Sequence, residues 1–182
     1  MRRHFTATGF VVRGDATLLH WHKRLQQWMP PGGHLEPDED PVQAVLREIR
    51  EEAGAAAEVV TTAPVLPFPY PGQLQPPYTI LVERSHEPGE PHEHIDLIYF
   101  CRLLEEADPA ANGFHWVDET TLRSGQPLEL AGCGVAVPLA EDVRLLALKA
   151  IEAARSATRD SEHERRRVTT RESRVAKGGE EG

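Results

Sequence analysis

Three glutamates in the first third of the chain have the type and the spacing of a cation site. Glu48, Glu51 and Glu52 are three and four residues apart, which places their side chains on one patch of a helix. Like charges at this spacing repel one another, and Arg47 can neutralise only part of the charge. Closely grouped carboxylate oxygens without neighbouring cysteines favour Mg²⁺ or Mn²⁺ over zinc or copper. The glutamates therefore predict a divalent cation site, although such a run taken alone also fits a solvated helix face.

The residues around these glutamates predict the helix that must position them. Asp40 can cap a helix, Pro41 suits its first turn and Gln43 completes a capping box. Gly54 is a stop signal. Apolar residues recur between these ends at helical spacing: Val42, Val45, Leu46, Ile49 and Ala53. The helix should therefore bury one face and present the glutamates from another.

Residues 33–55 resemble the Nudix box, G-x5-E-x7-R-E-U-x-E-E-x-G-U, where U is a bulky aliphatic residue. Its seven fixed positions are matched by Gly33, Glu39, Arg47, Glu48, Glu51, Glu52 and Gly54. A chance match in a chain of this length is on the order of 10⁻⁶. Ala55 is smaller than the usual last residue, which concerns packing and not chemistry. The resemblance implies an α/β protein, a Nudix-type α/β/α sandwich with a mixed β-sheet, over residues 1–157.

The resemblance also implies roles for the residues of the box. The catalytic residues would be Glu39, Arg47, Glu48, Glu51 and Glu52. The metal ligands for Mg²⁺ (or Mn²⁺) would be Gly32 through its carbonyl, together with Glu36, Glu48, Glu51 and Glu52. Arg47 would orient the cluster by pairing with Glu39 or Glu51. The general base stays open between a box glutamate and a residue outside the box, such as Glu93 or His94.

Substrate selection should lie outside the box, because the box handles only the diphosphate and the metal. The candidate substrate-binding residues are His22, Arg24, Tyr70, Glu93 and His94. Tyr70 belongs to a proline-rich loop, residues 63–78, where it could stack on a nucleobase together with Phe68 and Tyr78 or pack beneath the loop. Histidines and carboxylates in the polar loop 83–94 suit a general base or an additional metal ligand.

The reaction implied is hydrolysis of a phosphoanhydride bond in a nucleoside diphosphate linked to another group, or in a nucleoside triphosphate. In it, water activated by the ion attacks phosphorus in line with the leaving group. Two alternatives stay open. One is a catalytically weak nucleotide-binding Nudix module. The other is an isoprenoid diphosphate isomerase, which needs a catalytic cysteine, whereas Cys101 lies in an apolar run that indicates a buried structural thiol.

Composition limits the partners. The 182 residues are 40% hydrophobic and carry a formal net charge of −9, which disfavours duplex nucleic acid and anionic membranes and favours a small-molecule diphosphate that enters with metal. No leader-like or membrane-spanning apolar run is present, so a cytoplasmic location is expected. A homodimer is left open.

The rest of the chain predicts strands before and after the box and a second long helix. That helix, over residues 138–155, should pack on the sheet opposite the box helix. Residues 158–182 are charged and almost free of apolar side chains, which predicts a disordered C-terminal tail that is dispensable for catalysis.

Overall fold

The structure is a computed structural model that describes residues 1–61, 63–84, 91–104 and 109–178, with side chains up to residue 159 apart from residue 111. Within this part of the chain, eight strands form one mixed sheet: β1 (Arg2–Arg13), β2 (Ala16–His22), β3 (Gln27–Met29), β4 (Gly32–His34), β5 (Ala57–Val59), β6 (Thr79–Arg84), β7 (His92–Leu103) and β8 (Phe114–Asp118). A small hairpin joins β9 (Leu128–Glu129) to β10 (Ala136–Val137). The helices are α1 (Pro41–Ala53), α2 (Glu119–Ser124) and α3 (Glu141–Gly178), with a 3₁₀ turn at Pro109–Asn112.

The parallel pair of β1 and β7 forms the centre of the sheet, in register from Arg2 opposite His92 to Val12 opposite Arg102. The other strand pairs are antiparallel. β1 and β2 pair only beside their turn; beyond it, β4 pairs with β1 and β3 pairs with β2. The segment 27–34 therefore lies between the separated ends of the first hairpin.

Alternating side chains of the central strands build two hydrophobic cores on opposite faces of the sheet. Ala7 and Val11 of β1, with Tyr99 of β7, pack against the α1 residues Val45 and Ile49. On the other face, core residues from the strands and from α3 pack together: Phe10, Val12, Ile98, Phe100, Ala147, Ala150 and Ile151. The predicted α/β/α sandwich with a mixed sheet is confirmed, and so is the placement of the second long helix opposite the box helix.

The ends of α1 follow the sequence signals closely. Asp40 accepts hydrogen bonds from the backbone N–H groups of Val42 and Gln43, and the side chain of Gln43 returns one to the backbone of Asp40. Gly54 ends the helix in the left-handed conformation, at φ 64°. Because both ends are fixed, the glutamates on this helix have a defined direction relative to the sheet.

Two boundaries differ from the sequence-based expectation. His92, Glu93 and His94 lie in β7 and not in a loop, because they continue the register of β7 with β1; residues 85–90 of the predicted loop 83–94 lie outside the described residues. The second long helix begins at Glu141 and not at residue 138. The carbonyl of Ala140 accepts the first hydrogen bond of the helix, from the N–H of Arg144.

α3 continues to Gly178, so residues 158–178 are helical where the sequence predicted disorder. The segment contains neither proline nor glycine before Gly178, and a helix that is already nucleated by packing extends at little cost through such residues. No helix in the described part of the chain is both long enough and apolar enough to cross a membrane.

We still expect the segment after Ala157 to be dispensable, because its charged residues offer little apolar surface to bury. Truncation after Ala157 should leave turnover unchanged and shift Tm by less than about 3 °C. Thermal unfolding followed by circular dichroism, together with steady-state kinetics, checks this. A larger fall in Tm, or a loss of activity, would mean that the segment stabilises the domain.

Candidate active site

Arg47 connects the box residues. Its Nε and Nη2 donate to the two carboxylate oxygens of Glu39, at 2.9 and 3.0 Å. Its Nη1 donates to Glu48 at 2.8 Å and to Glu51 at 3.2 Å, so both predicted pairings are present. Nη2 also donates to the backbone carbonyl of His34, at 3.0 Å. The hydrogen bonds from Arg47 lower the pKa of Glu39 and keep that carboxylate charged.

Glu52 has a different environment from its neighbours. Its carboxylate accepts a hydrogen bond from the backbone N–H of Gly32 at 3.1 Å, a neutral donor and not a cation. Burial raises the pKa of Glu52, and repulsion from Glu48 and Glu51 raises it further. The hydrogen bond from Gly32 lowers the pKa and offsets only part of this rise. A positive charge beside this carboxylate would therefore relieve an unfavourable interaction.

The donor set fits a hard divalent ion. Glu48, Glu51 and Glu52 lie near enough on α1 for Glu48 and Glu51 to repel the charge of Glu52, and carboxylate oxygens are the ligands that Mg²⁺ and Mn²⁺ prefer. Glu36 is exposed on the preceding turn, where its backbone N–H donates to Glu39 at 3.1 Å. Metal ligation by Glu36 and by the carbonyl of Gly32 stays a prediction.

Gly33 is needed because Glu48 occupies the space of a side chain. A Cβ at Gly33 would overlap the carboxylate of Glu48, whose side chain is only 14% exposed. The glycine thus lets the chain pass directly over a proposed metal ligand.

Gly33→Ala should displace the Glu48 carboxylate and leave the fold intact, because the obstructing group is the end of a flexible side chain. We expect Mg²⁺ affinity to fall about tenfold or more, with a Tm within a few degrees of wild type. Calorimetric titration with Mg²⁺ measures this, and Gly72→Ala is the matched control, since a Cβ there meets nothing within 4 Å. Unchanged Mg²⁺ affinity in Gly33→Ala would show that Glu48 does not hold the ion.

A cavity of about 390 Å³ opens beside these residues on the α3 side of the sheet. Its wall contains Glu52 and the β4 residues Gly32 and Gly33, and basic residues also line it: His22, Arg24, Arg84 and His94. The cavity therefore brings a carboxylate of the proposed metal site together with groups that can contact phosphate.

The model of the NUDIX domain family matches residues 2–131, which is more than half of the chain. The chain belongs to the NUDIX hydrolase family.

Curated relatives match over short stretches. An RNA pyrophosphohydrolase of Pseudomonas fluorescens (strain SBW25) is 39% identical over 54 residues, which cover 29% of this chain and 34% of that protein. An asymmetrical bis(5′-nucleosyl)-tetraphosphatase of Sus scrofa is 46% identical over 44 residues, which cover 24% of this chain and 30% of the relative. The chain thus matches about a third of the length of these relatives.

Solved structures match over much longer stretches. A hydrolase of the NUDIX family from Clostridium perfringens has a TM-score of 0.63 and 25% identity, with 84% of this chain and 98% of that chain covered. A NUDIX hydrolase from Nitrosomonas europaea has a TM-score of 0.52 at 17% identity, covering 84% and 90%, and supports the fold alone.

Of the substrate-binding residues predicted for this Nudix domain, His22, Arg24 and His94 line the cavity. Glu93 points to the other face of the sheet, where it accepts a hydrogen bond from Arg3 at 3.0 Å, because neighbouring strand residues alternate between faces. Tyr70 is 86% exposed in its loop.

The other two loop aromatics differ from Tyr70 in environment. Tyr78 stacks on Phe100 with a ring-centroid distance of 4.2 Å, so it packs against the core, as one of the two interpretations expected. Phe68 is 40% exposed. Since the described structure assigns the cavity wall to other residues, base stacking by this loop stays a prediction.

Asp96 is a residue of the cavity wall that the sequence analysis missed. It is 7% exposed and accepts hydrogen bonds from the hydroxyls of Thr6 at 2.9 Å and Thr8 at 2.8 Å. Burial raises the pKa of Asp96. Glu83 also lines the cavity, and its pKa is raised mainly by burial and further by repulsion from Asp96 and Asp142. A single aspartate inside the apolar run of β7 was the available sequence signal, because a buried polar residue in a strand needs partners.

His20, beside the predicted phosphate-contacting residues, is not a cation at neutral pH. Burial, followed by the proximity of His22, lowers the pKa of His20 to about 4, and its ring stacks on Phe114 at 4.6 Å. Arg24, and not His20, is therefore a source of positive charge at the cavity wall.

Proposed function

We propose that this chain is an Mg²⁺- or Mn²⁺-dependent hydrolase that cleaves a phosphoanhydride bond in a nucleoside diphosphate linked to another group or in a nucleoside triphosphate. The proposal rests on the grouping of Glu48, Glu51 and Glu52 on α1, of which Glu52 lines a cavity that basic residues also line. The names of the curated relatives, an RNA pyrophosphohydrolase and a bis(5′-nucleosyl)-tetraphosphatase, describe the same bond class in those proteins.

In this proposal the protein side chains divide into two groups. Arg24, at the cavity wall, contacts the phosphates, and its guanidinium can donate two hydrogen bonds to one phosphate. Glu48, Glu51 and Glu52 of α1 hold the divalent ion, with Glu52 at the cavity wall. A bound Mg²⁺ or Mn²⁺ supplies neutralisation of the diphosphate charge and makes water more acidic.

Arg47 has a positioning role. Four of its hydrogen bonds fix Glu39, Glu48 and Glu51 relative to one another, so that little reorganisation is needed when the ion and substrate bind. The bond to the carbonyl of His34 ties the same group to β4 at the cavity wall.

An isomerase that uses Cys101 is disfavoured by the position of the thiol. Cys101 is fully buried in the core on the α1 side of the sheet, and burial raises its pKa to about 12. The cavity lies on the α3 side. The thiol is therefore neither ionised at neutral pH nor exposed to a substrate in the cavity.

The nucleotide-binding module is the second candidate, and a turnover experiment separates it from the enzyme. The protein is incubated with Mg²⁺ and a panel of nucleoside triphosphates, dinucleoside polyphosphates and nucleoside diphosphate sugars. We expect release of phosphate, diphosphate or a nucleotide from at least one compound, and loss of that activity with excess chelator. Binding of a nucleotide without turnover under all conditions would support the binding module instead.

A further inference from the structure

Four histidines form a cluster on one face of the sheet, with His34 at the start of the box and the other three on neighbouring strands. His4 lies on β1, His34 on β4, and His92 and His94 two residues apart on β7. His4 is directly opposite His94 in the parallel pair, and His34 is opposite Thr6, two residues along β1. Since residues two apart on a strand share a face, the register alone brings the four imidazoles together.

One ring nitrogen from each histidine lies within 4.8 Å of one nitrogen from every other. The distance from His4 Nδ1 to His34 Nε2 is 3.4 Å, and that from His92 Nε2 to His94 Nε2 is 3.2 Å. A tetrahedral ion with metal–nitrogen bonds of about 2.0–2.1 Å holds its ligand atoms about 3.3 Å apart. The two short distances thus match the edge of such a tetrahedron.

We propose that His4, His34, His92 and His94 form a zinc site. Imidazole is a ligand for Zn²⁺ and suits Mg²⁺ poorly, so this cluster and the box carboxylates select different ions. Three of the histidines are half-buried and His34 is exposed, which leaves a path for the ion to enter.

A bound Zn²⁺ would join three strands at the end of the sheet nearest the box. β1 and β7 carry the buried Thr6 and Asp96 of the cavity wall two residues beyond His4 and His94. β4 carries His34, whose carbonyl accepts the hydrogen bond from Arg47. The ion would therefore stabilise the strands that position both the cavity wall and the box.

The test uses full-length protein without a polyhistidine tag, stripped of metal with a chelator and then dialysed. Zn²⁺ affinity and stoichiometry are measured by competition with a chromogenic chelator, and Tm is measured with and without one equivalent of Zn²⁺. We expect one tight site per chain and a rise in Tm of several degrees, because an ion that binds only the folded state stabilises it. Replacement of Zn²⁺ by Co²⁺ should give the visible absorption of a tetrahedral nitrogen site.

The variants separate this site from the box. His4→Gln and His92→Gln, on different strands, should each weaken Zn²⁺ about 100-fold, whereas His115→Gln on β8 and Glu52→Gln should keep wild-type Zn²⁺ affinity. Circular dichroism of the metal-free variants verifies that they are folded. If His4→Gln does not fold, the Zn²⁺ affinity of a folded His92→Gln protein is enough to test the site. Wild-type Zn²⁺ affinity in a folded histidine variant, or Zn²⁺ binding that is lost only in Glu52→Gln, would overturn the proposal.

Discussion

Glu52→Gln is expected to lower kcat about 100-fold or more while leaving the protein as stable as wild type, or more stable, in metal-free buffer. The amide keeps the shape of the carboxylate and removes the charge that burial and the neighbouring Glu48 and Glu51 disfavour. The same charge is what a divalent ion needs, so activity and metal-free stability should change in opposite directions. Steady-state kinetics and Tm, each measured with and without Mg²⁺, check both parts.

Glu129→Gln is the matched control for this variant, since Glu129 is an exposed carboxylate on β9. It should leave kcat and both Tm values unchanged. Wild-type activity in Glu52→Gln would show that Glu52 is not a catalytic residue. A large fall in the metal-free Tm of Glu52→Gln would mean that the carboxylate has a structural partner.

Arg47→Lys should destabilise the protein by about 2 kcal/mol, because hydrogen bonds between charged groups contribute about 1.5–3 kcal/mol and a lysine cannot reproduce the guanidinium fork. Arg47 and Glu39 have side chains that are only 21% and 13% exposed, so solvent screens their pairing incompletely. Urea unfolding at neutral pH measures the difference. We expect Mg²⁺ to restore part of the stability, because the ion neutralises the carboxylates that Arg47 leaves behind.

The difference in unfolding free energy between wild type and Arg47→Lys should depend on pH with a defined sign. Arg47 lowers the pKa of Glu39 in the folded state. A lowered carboxylate pKa contributes stability above the ordinary pKa of glutamate, and this contribution is lost as the pH falls through the lower folded value. The gap between wild type and Arg47→Lys should therefore be constant near neutral pH and shrink in acid. A gap that widens in acid would contradict the assignment of Glu39 as the main partner.

The fold could be predicted where local signals agree with the tertiary structure. The capping box at Asp40 and Gln43 and the stop at Gly54 fix α1 from the sequence alone. The β4 segment Gly32–His34 was harder to predict, because a three-residue strand with two glycines has no periodicity and exists through its pairing with β1. The extension of α3 to Gly178 is harder to predict, because the segment has no helix breaker before Gly178 but has the charged composition that is typical of disorder.

The candidate site likewise contains contacts that the sequence predicts and contacts that only the folded sheet brings together. Arg47 and its carboxylate partners lie within one helix and the loop before it, so their spacing predicts their contacts. Asp96, Thr6 and Thr8 meet through the register of β1 and β7, a pairing of residues about 90 positions apart. The orientation of Glu93 depends on where β7 begins, because a strand that includes Glu93 turns its side chain away from the cavity, and that boundary follows from the pairing of β7 with β1.

Hydrolysis in water enriched in ¹⁸O is the most direct test of metal-dependent attack by water on phosphorus. A compound that is turned over with Mg²⁺ is incubated in labelled water, and the products are examined by mass spectrometry. We expect one ¹⁸O atom in a phosphate group of one product, at a rate that chelator abolishes and that Glu52→Gln lowers about 100-fold. Turnover that places no label in any phosphate-containing product, or that proceeds undiminished with chelator, would contradict metal-dependent attack of water on phosphorus at this site.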